Sequence, residues 1–186
     1  MEQTLVLENS SLVARRVLAV VLGTALVAAA SQVAIPLPGT PVPMTLQPLA
    51  VLLVGGLLGP GLGAASLVLY LALGAAGLPV FTPVGLPGLA RLLGPTGGYL
   101  LAYPVAASIV GRLATPGGGI ARLALATLAG LLLIYLGGFA QLAILTGSLS
   151  TAARFGTAPF LVADLLKLAF AVLVLRPTIR PVRARL

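Results

Sequence analysis

The chain has 186 residues, of which 59% are hydrophobic and only 8% charged, with a formal net charge of +8. No soluble domain of this length has such a composition. Several apolar runs approach the ~20 residues that span a bilayer, so the chain reads as a single polytopic membrane domain without room for a separate soluble one. Cysteine and histidine are both absent, which excludes disulfides and leaves thiol, imidazole and zinc chemistry without their usual ligands.

Residues 1–11 are a polar tail. Leu12 to Val33 is the first span, with Arg15-Arg16 near its start and small residues at four-residue spacing: Ala19 and Gly23 on one face, Ala25 and Ala29 on another. Small residues at that spacing let another backbone approach, either inside the bundle or from a partner protein. The span is long and lacks a cleavage site beside a short apolar core, although Ala28-Ala29-Ala30 is a mild decoy, so it is expected to be retained. Ile35 to Pro43 holds four prolines, which forbid regular helix and favour a stiff, extended connector or pocket wall.

Thr45 to Leu58 is a short second span, Gly59-Pro60-Gly61 a tight turn, and Leu62 to Leu78 a third span containing Tyr70. The second is barely long enough to cross and is expected to sink into protein. Pro79 to Pro95 is a second loop rich in proline and glycine, with Phe81 and Arg91, leading into Thr96-Gly97-Gly98-Tyr99. That glycine cluster lacks the Gly-Lys-Ser/Thr ending of a phosphate loop, so no nucleotide site follows from it. Gly97 to Ala114 is the fourth span, with a kink expected at Tyr103-Pro104. Thr115 to Arg122 is a glycine-rich turn. Leu123 to Thr146 is the fifth span, where Gly137-Gly138 either loosens the helix or admits close packing. Gly147 to Thr157 is a polar loop, Ala158 to Leu175 the sixth span, and 177–186 a basic tail.

Charge fixes the expected orientation. With the N-terminus inside, eight arginines fall on the cytoplasmic side (15, 16, 112, 122, 176, 180, 183 and 185) and two, Arg91 and Arg154, outside. This asymmetry predicts an all-α protein of six transmembrane helices with both termini cytoplasmic, and it ties the basic charge to lipid rather than nucleic acid.

Against that background Asp164 and Lys167 stand out. Asp164 is the only carboxylate beyond the N-terminal tail, Lys167 the only lysine, and both fall inside the sixth apolar run. At i, i+3 the two share a helical face. A charge at bilayer depth costs roughly 2.5–3.5 kcal/mol on insertion scales, so such residues face a bundle interior or cavity and mark ligand sites, unless they serve only as an internal salt bridge. In the predicted orientation Asp164 lies about 9 Å and Lys167 about 13 Å below the outer end of the helix, beneath the three longer loops. One carboxylate and one lysine supply no second acid or metal ligand for catalysis, so an enzyme is not expected. The pair can offer an acceptor and donors to a neutral group such as a urea. Arg91 is a candidate for an anionic tail of the same ligand, or else a lipid-headgroup anchor.

Four stretches, VPMTLQPLAVLLVGGLLGP (42–60), LYLALGAAGLPVF (69–81), LGPTGGYL (93–100) and PFLVADLLK (159–167), resemble, in this order, the BioY family, the biotin-specific S components of energy-coupling factor transporters. The resemblance covers residues 35–167. It implies a six-helix S-component bundle that captures biotin from outside and delivers it inward with a transmembrane T component and two cytoplasmic ATPase subunits, without a cofactor of its own. It places Asp164 and Lys167 near the biotin ring and makes the first outer loop, with Thr45 and Gln47, a substrate lid. Arg91, Phe81, Tyr70, Thr96 and Tyr99 follow as further binding residues, and Ala19 and Gly23 as the face that docks on the T component. A self-sufficient ion-coupled carrier for a small organic solute is the alternative, and a purely structural membrane subunit a third reading.

Overall fold

The computed structural model describes residues 2–186, with side chains from Ser10 onward. Its helices are α1 (Glu2–Gln32), α2 (Gln47–Ala75), α3 (Leu89–Leu93), α4 (Gly97–Leu113), α5 (Ile120–Thr146), α6 (Leu149–Gly156) and α7 (Leu161–Arg183), with a 3-10 turn at Ala158–Phe160 before the last. By length and apolar composition alone, four helical segments suffice to cross a membrane: Ser10–Gln32, Gln47–Ala75, Ile120–Thr146 and Leu149–Arg183. Two further crossings come from packing. α2 doubles back at Gly59, which adopts φ 82° and ψ 179°, a left-handed φ that a residue without Cβ takes freely. Gly63 thereby returns to contact Gly55. The 17-residue α4 packs against both α2 and α5. The chain is thus a six-crossing helical bundle.

The reversal in α2 leaves an unmet carbonyl. Pro60 has no N–H, so the oxygen of Gly56, four residues earlier, has no helical donor. Arg183 of α7 supplies it: its Nε and Nη2 donate to Gly56 O at 3.0 and 2.6 Å, and Nη2 also donates to Gly111 O of α4 at 2.9 Å. One guanidinium thereby joins α2, α4 and α7 at the end of the bundle away from the long loops. The 47–58 arm is largely buried and forms the centre of the bundle. Its apolar contacts fall into two clusters, one around Val51, Tyr70 and Tyr103 toward the loop end and one around Leu52, Val110 and Leu175 toward the opposite end.

Close approach relies on small residues. A Cβ on Gly98 would lie 2.1 Å from Gly137 O, and one on Gly137 would lie 2.4 Å from Gly98 O. The Gly137-Gly138 pair therefore packs α5 tightly against α4. Gly23 likewise faces inward, where an added Cβ would meet Ser66 Oγ at 2.6 Å, and Thr24 Oγ1 beside it donates to Ser66 O at 2.9 Å. This corrects the reading of Gly23 as a free docking residue: its spacing serves the α1–α2 contact within the chain. Ala19 is half-buried, and the small residues on the outward face are Ala25 and Ala29.

At the loop end, the proline-rich connector closes through two short antiparallel strands, β1 (Ala34–Ile35) and β2 (Met44–Thr45), which pair Ala34 with Thr45 and Ile35 with Met44. The second crossing accordingly starts at Gln47, with Pro48 in its first turn, a position where the missing N–H costs nothing. The stretch expected to be a polar loop, 147–157, contains α6. Gly147 ends α5 at φ 66°, and Ser148 Oγ accepts from Thr151 N to start α6, the usual stop and start chemistry of adjacent helices. Thr40 Oγ1 donates to Phe155 O at 2.7 Å and fastens the connector to α6.

Candidate ligand site

Beneath the connector, which contributes Val42 and Pro43 to its lining, lies a cavity that opens to the outside, with about 580 Å³ of space when the open mouth is included. α7 contributes Asp164 and Lys167. Lys167 Nζ donates to Asp164 Oδ1 at 2.6 Å, and Tyr135 Oη from α5 donates to Oδ2 at 2.7 Å. Asp164 is 4% exposed. An ionised carboxylate has about four lone-pair positions and an ammonium three N–H donors. Two acceptor positions on Asp164 and two donors on Lys167 therefore stay free for a ligand.

The opposite wall comes from the start of α2. Thr45 Oγ1 donates to Gln47 Oε1 at 3.2 Å, and Gln47 Nε2 donates to Tyr70 Oη at 2.7 Å. Thr45, Gln47, Phe81, Arg91, Thr96, Tyr99, Asp164 and Lys167 all line the cavity. Tyr70 does not: it is fully buried behind Gln47 and stacks edge-on against Phe81, with ring centroids 5.3 Å apart at 75°. Its role is to hold those two lining residues. Tyr99 lines the cavity with its ring while its hydroxyl donates to Gly156 O at 2.6 Å.

Arg91 is 5% exposed, and most of its donors are already engaged. Nε donates to Leu86 O at 2.8 Å, Nη2 to Thr82 O at 2.8 Å, and Nη1 to Thr82 Oγ1 at 2.9 Å and to Val84 O. These bonds shape residues 82–86 into a wall and leave one of the five guanidinium N–H groups free. Burial lowers the pKa of Arg91 from its ordinary value, which starts far enough above neutrality for the group to stay charged. The single ion pair among the described residues joins Asp164 to Lys167, so Arg91 gives the cavity a net charge of +1. A buried cation of that kind calls for an anion.

Residue spacing missed Tyr135 altogether, because a lone tyrosine in an apolar run looks the same whether it faces lipid or a carboxylate. It also missed the lining roles of Tyr103, Phe160 and Ile134. Taken together, fold and site define a multi-pass membrane protein with a mostly apolar chamber that carries a few charged and polar groups, roofed by the connector at one end of a helical bundle.

Comparison with known proteins places the chain within that class. The BioY family profile matches residues 2–184, and the chain belongs to the BioY family. The probable biotin transporter BioY of Pyrococcus horikoshii is 43% identical over 161 residues, covering 87% of this chain and 94% of that protein. The biotin transporter BioY of Thermotoga maritima is 38% identical over 151 residues, covering 81% and 88%. The crystal structure of the S-component for biotin from an ECF-type ABC transporter superposes with a TM-score of 0.78 at 28% identity, over 88% of this chain and 89% of that one.

Proposed function

We propose that this chain is the biotin-binding S component of an energy-coupling factor transporter. The observation that carries the reading is the Asp164–Lys167–Tyr135 cluster within a chamber of net charge +1. A urea-like ring donates its N–H groups to the free acceptor positions of Asp164 and accepts from Lys167. A single carboxylate at the far end of the ligand balances Arg91. Biotin has one ring of this kind and one carboxylate. The ligand-binding roles of Asp164, Lys167, Gln47 and Arg91 rest on this match of chemistry.

The excess of arginine at the end opposite the chamber supports an arrangement in the prokaryotic plasma membrane with both termini cytoplasmic and the chamber facing outward. Biotin would be captured under the 35–43 connector, and the bundle would be driven to release it inward by a T component and two ATPase subunits. Binding of radiolabelled biotin to the purified protein tests the reading. The expected result is saturable binding that needs no ion gradient and is lost in Asp164→Asn. Uptake into liposomes by this chain alone, dependent on a proton gradient, would instead indicate an ion-coupled carrier. Absence of biotin binding would overturn the assignment. A cysteine at position 185 that reacts with an impermeant reagent from outside whole cells would overturn the orientation.

A further inference from the structure

The four tyrosines of the chain are not equivalent. Three have hydroxyls engaged by the protein: Tyr70 accepts from Gln47, Tyr99 donates to Gly156 O and Tyr135 donates to Asp164. Tyr103 is 3% exposed, lines the same chamber, and its hydroxyl has no hydrogen-bond partner among the described residues. No buried side-chain polar atom among the described residues lacks a partner, so the unbonded Tyr103 hydroxyl opens onto accessible space, and the space this side chain lines is the chamber. The hydroxyl is therefore available to the chamber's occupant.

Its position fits that role. Tyr103 follows Tyr99 by one turn on the same face of α4, roughly 6 Å farther from the loop end. Long helical side chains lean toward the N-terminus of their helix, which for α4 is the end where the chamber opens. Tyr103 thus shares the chamber's lining with the apolar Leu100 and Ile134 and with Asp164 and Lys167.

We propose that Tyr103 Oη is a ligand-binding group that hydrogen-bonds the urea-like group of the bound ring from below, while Asp164 and Lys167 hold it from the side. This rests on the biotin reading above. Titration calorimetry of wild type and Tyr103→Phe with biotin and with desthiobiotin, which lacks the sulfur but keeps the urea, tests it. The expected result is an affinity about tenfold weaker in the variant for both ligands, with the thermal midpoint of the ligand-free protein unchanged. Tyr103→Met is expected to lose affinity in the same direction and keeps the test standing if the phenylalanine variant folds poorly. Equal affinity of wild type and Tyr103→Phe would overturn the proposal alone, as expected of a hydroxyl that holds only water. A loss seen with biotin but not with desthiobiotin would also overturn it, because the hydroxyl would then meet the sulfur. A wild-type protein that binds neither ligand would overturn the biotin reading, and this proposal with it.

Discussion

Replacing Asp164 by asparagine changes one charge and almost no volume, yet it disturbs three groups at once. The amide nitrogen cannot accept from Lys167, now 2.6 Å from Oδ1, or from Tyr135, 2.7 Å from Oδ2, so at least one of these bonds is lost. Removing one partner of a buried ion pair costs about 3–5 kcal/mol, because the other charge is left uncompensated. Lys167 keeps 10% of its side-chain surface accessible, which places the expected cost at the lower end, about 3 kcal/mol. For a protein of this size that corresponds to a fall of about 6–12 °C in thermal midpoint. Ligand affinity falls separately. A hydrogen bond to a charged group contributes about 1.5–3 kcal/mol, so loss of one such bond to a ring N–H weakens biotin binding about 10- to 150-fold. Combining Asp164→Asn with Lys167→Met separates the two effects. Removing both charges brings stability back to within about 1 kcal/mol of wild type, whereas binding stays weak. Thermal melts and biotin titrations on the detergent-purified protein read both quantities. Unchanged affinity in Asp164→Asn would refute the site, and a double variant no more stable than the single one would refute the coupling of the pair.

Other changes probe the walls. Arg91→Ala removes the donors that hold residues 82–86 and the chamber's net positive charge. Wild type is expected to prefer biotin over its uncharged amide by at least about tenfold, the variant to lose that preference, and protease to cleave the 82–88 segment more readily. Thr40→Val deletes the bond to Phe155 O; at about 1 kcal/mol it should speed biotin dissociation about fivefold while leaving association unchanged in stopped-flow measurements. Gly98→Ala would place a methyl 2.1 Å from the Gly137 carbonyl. Because the obstacle is backbone, α4 and α5 must move apart, and melts should show a loss of about 1–3 kcal/mol.

The bundle was legible in the sequence where physics leaves one solution. Long apolar runs must be helices in lipid, and two ionisable residues inside such a run must face the interior. What escaped was what depends on neighbours. Residues 149–156 read as a loop because serine, threonine, glycine and arginine also make turns, although Gly147 and Ser148 already carried the stop and start of a helix. Gly23 and Ala19 had the right spacing for a docking face, but spacing alone does not say which face turns to solvent and which to Ser66. Arg91 had the charge for an anionic tail or a lipid headgroup, but spacing did not show that most of its donors hold the loop that carries it. Tyr70 was grouped with the binding residues and stands one layer behind the lining.

The guanidinium of Arg183 links this architecture to the order of synthesis. It follows Gly56, whose carbonyl it completes, by 127 residues. The Gly56 carbonyl therefore lacks this donor until the fourth to sixth crossings have been made. Its final setting must wait for α7, which brings both the clamp at one end and, at the other, the Asp164–Lys167 pair. Closure of the bundle's far end and completion of the ligand chamber thus both depend on α7.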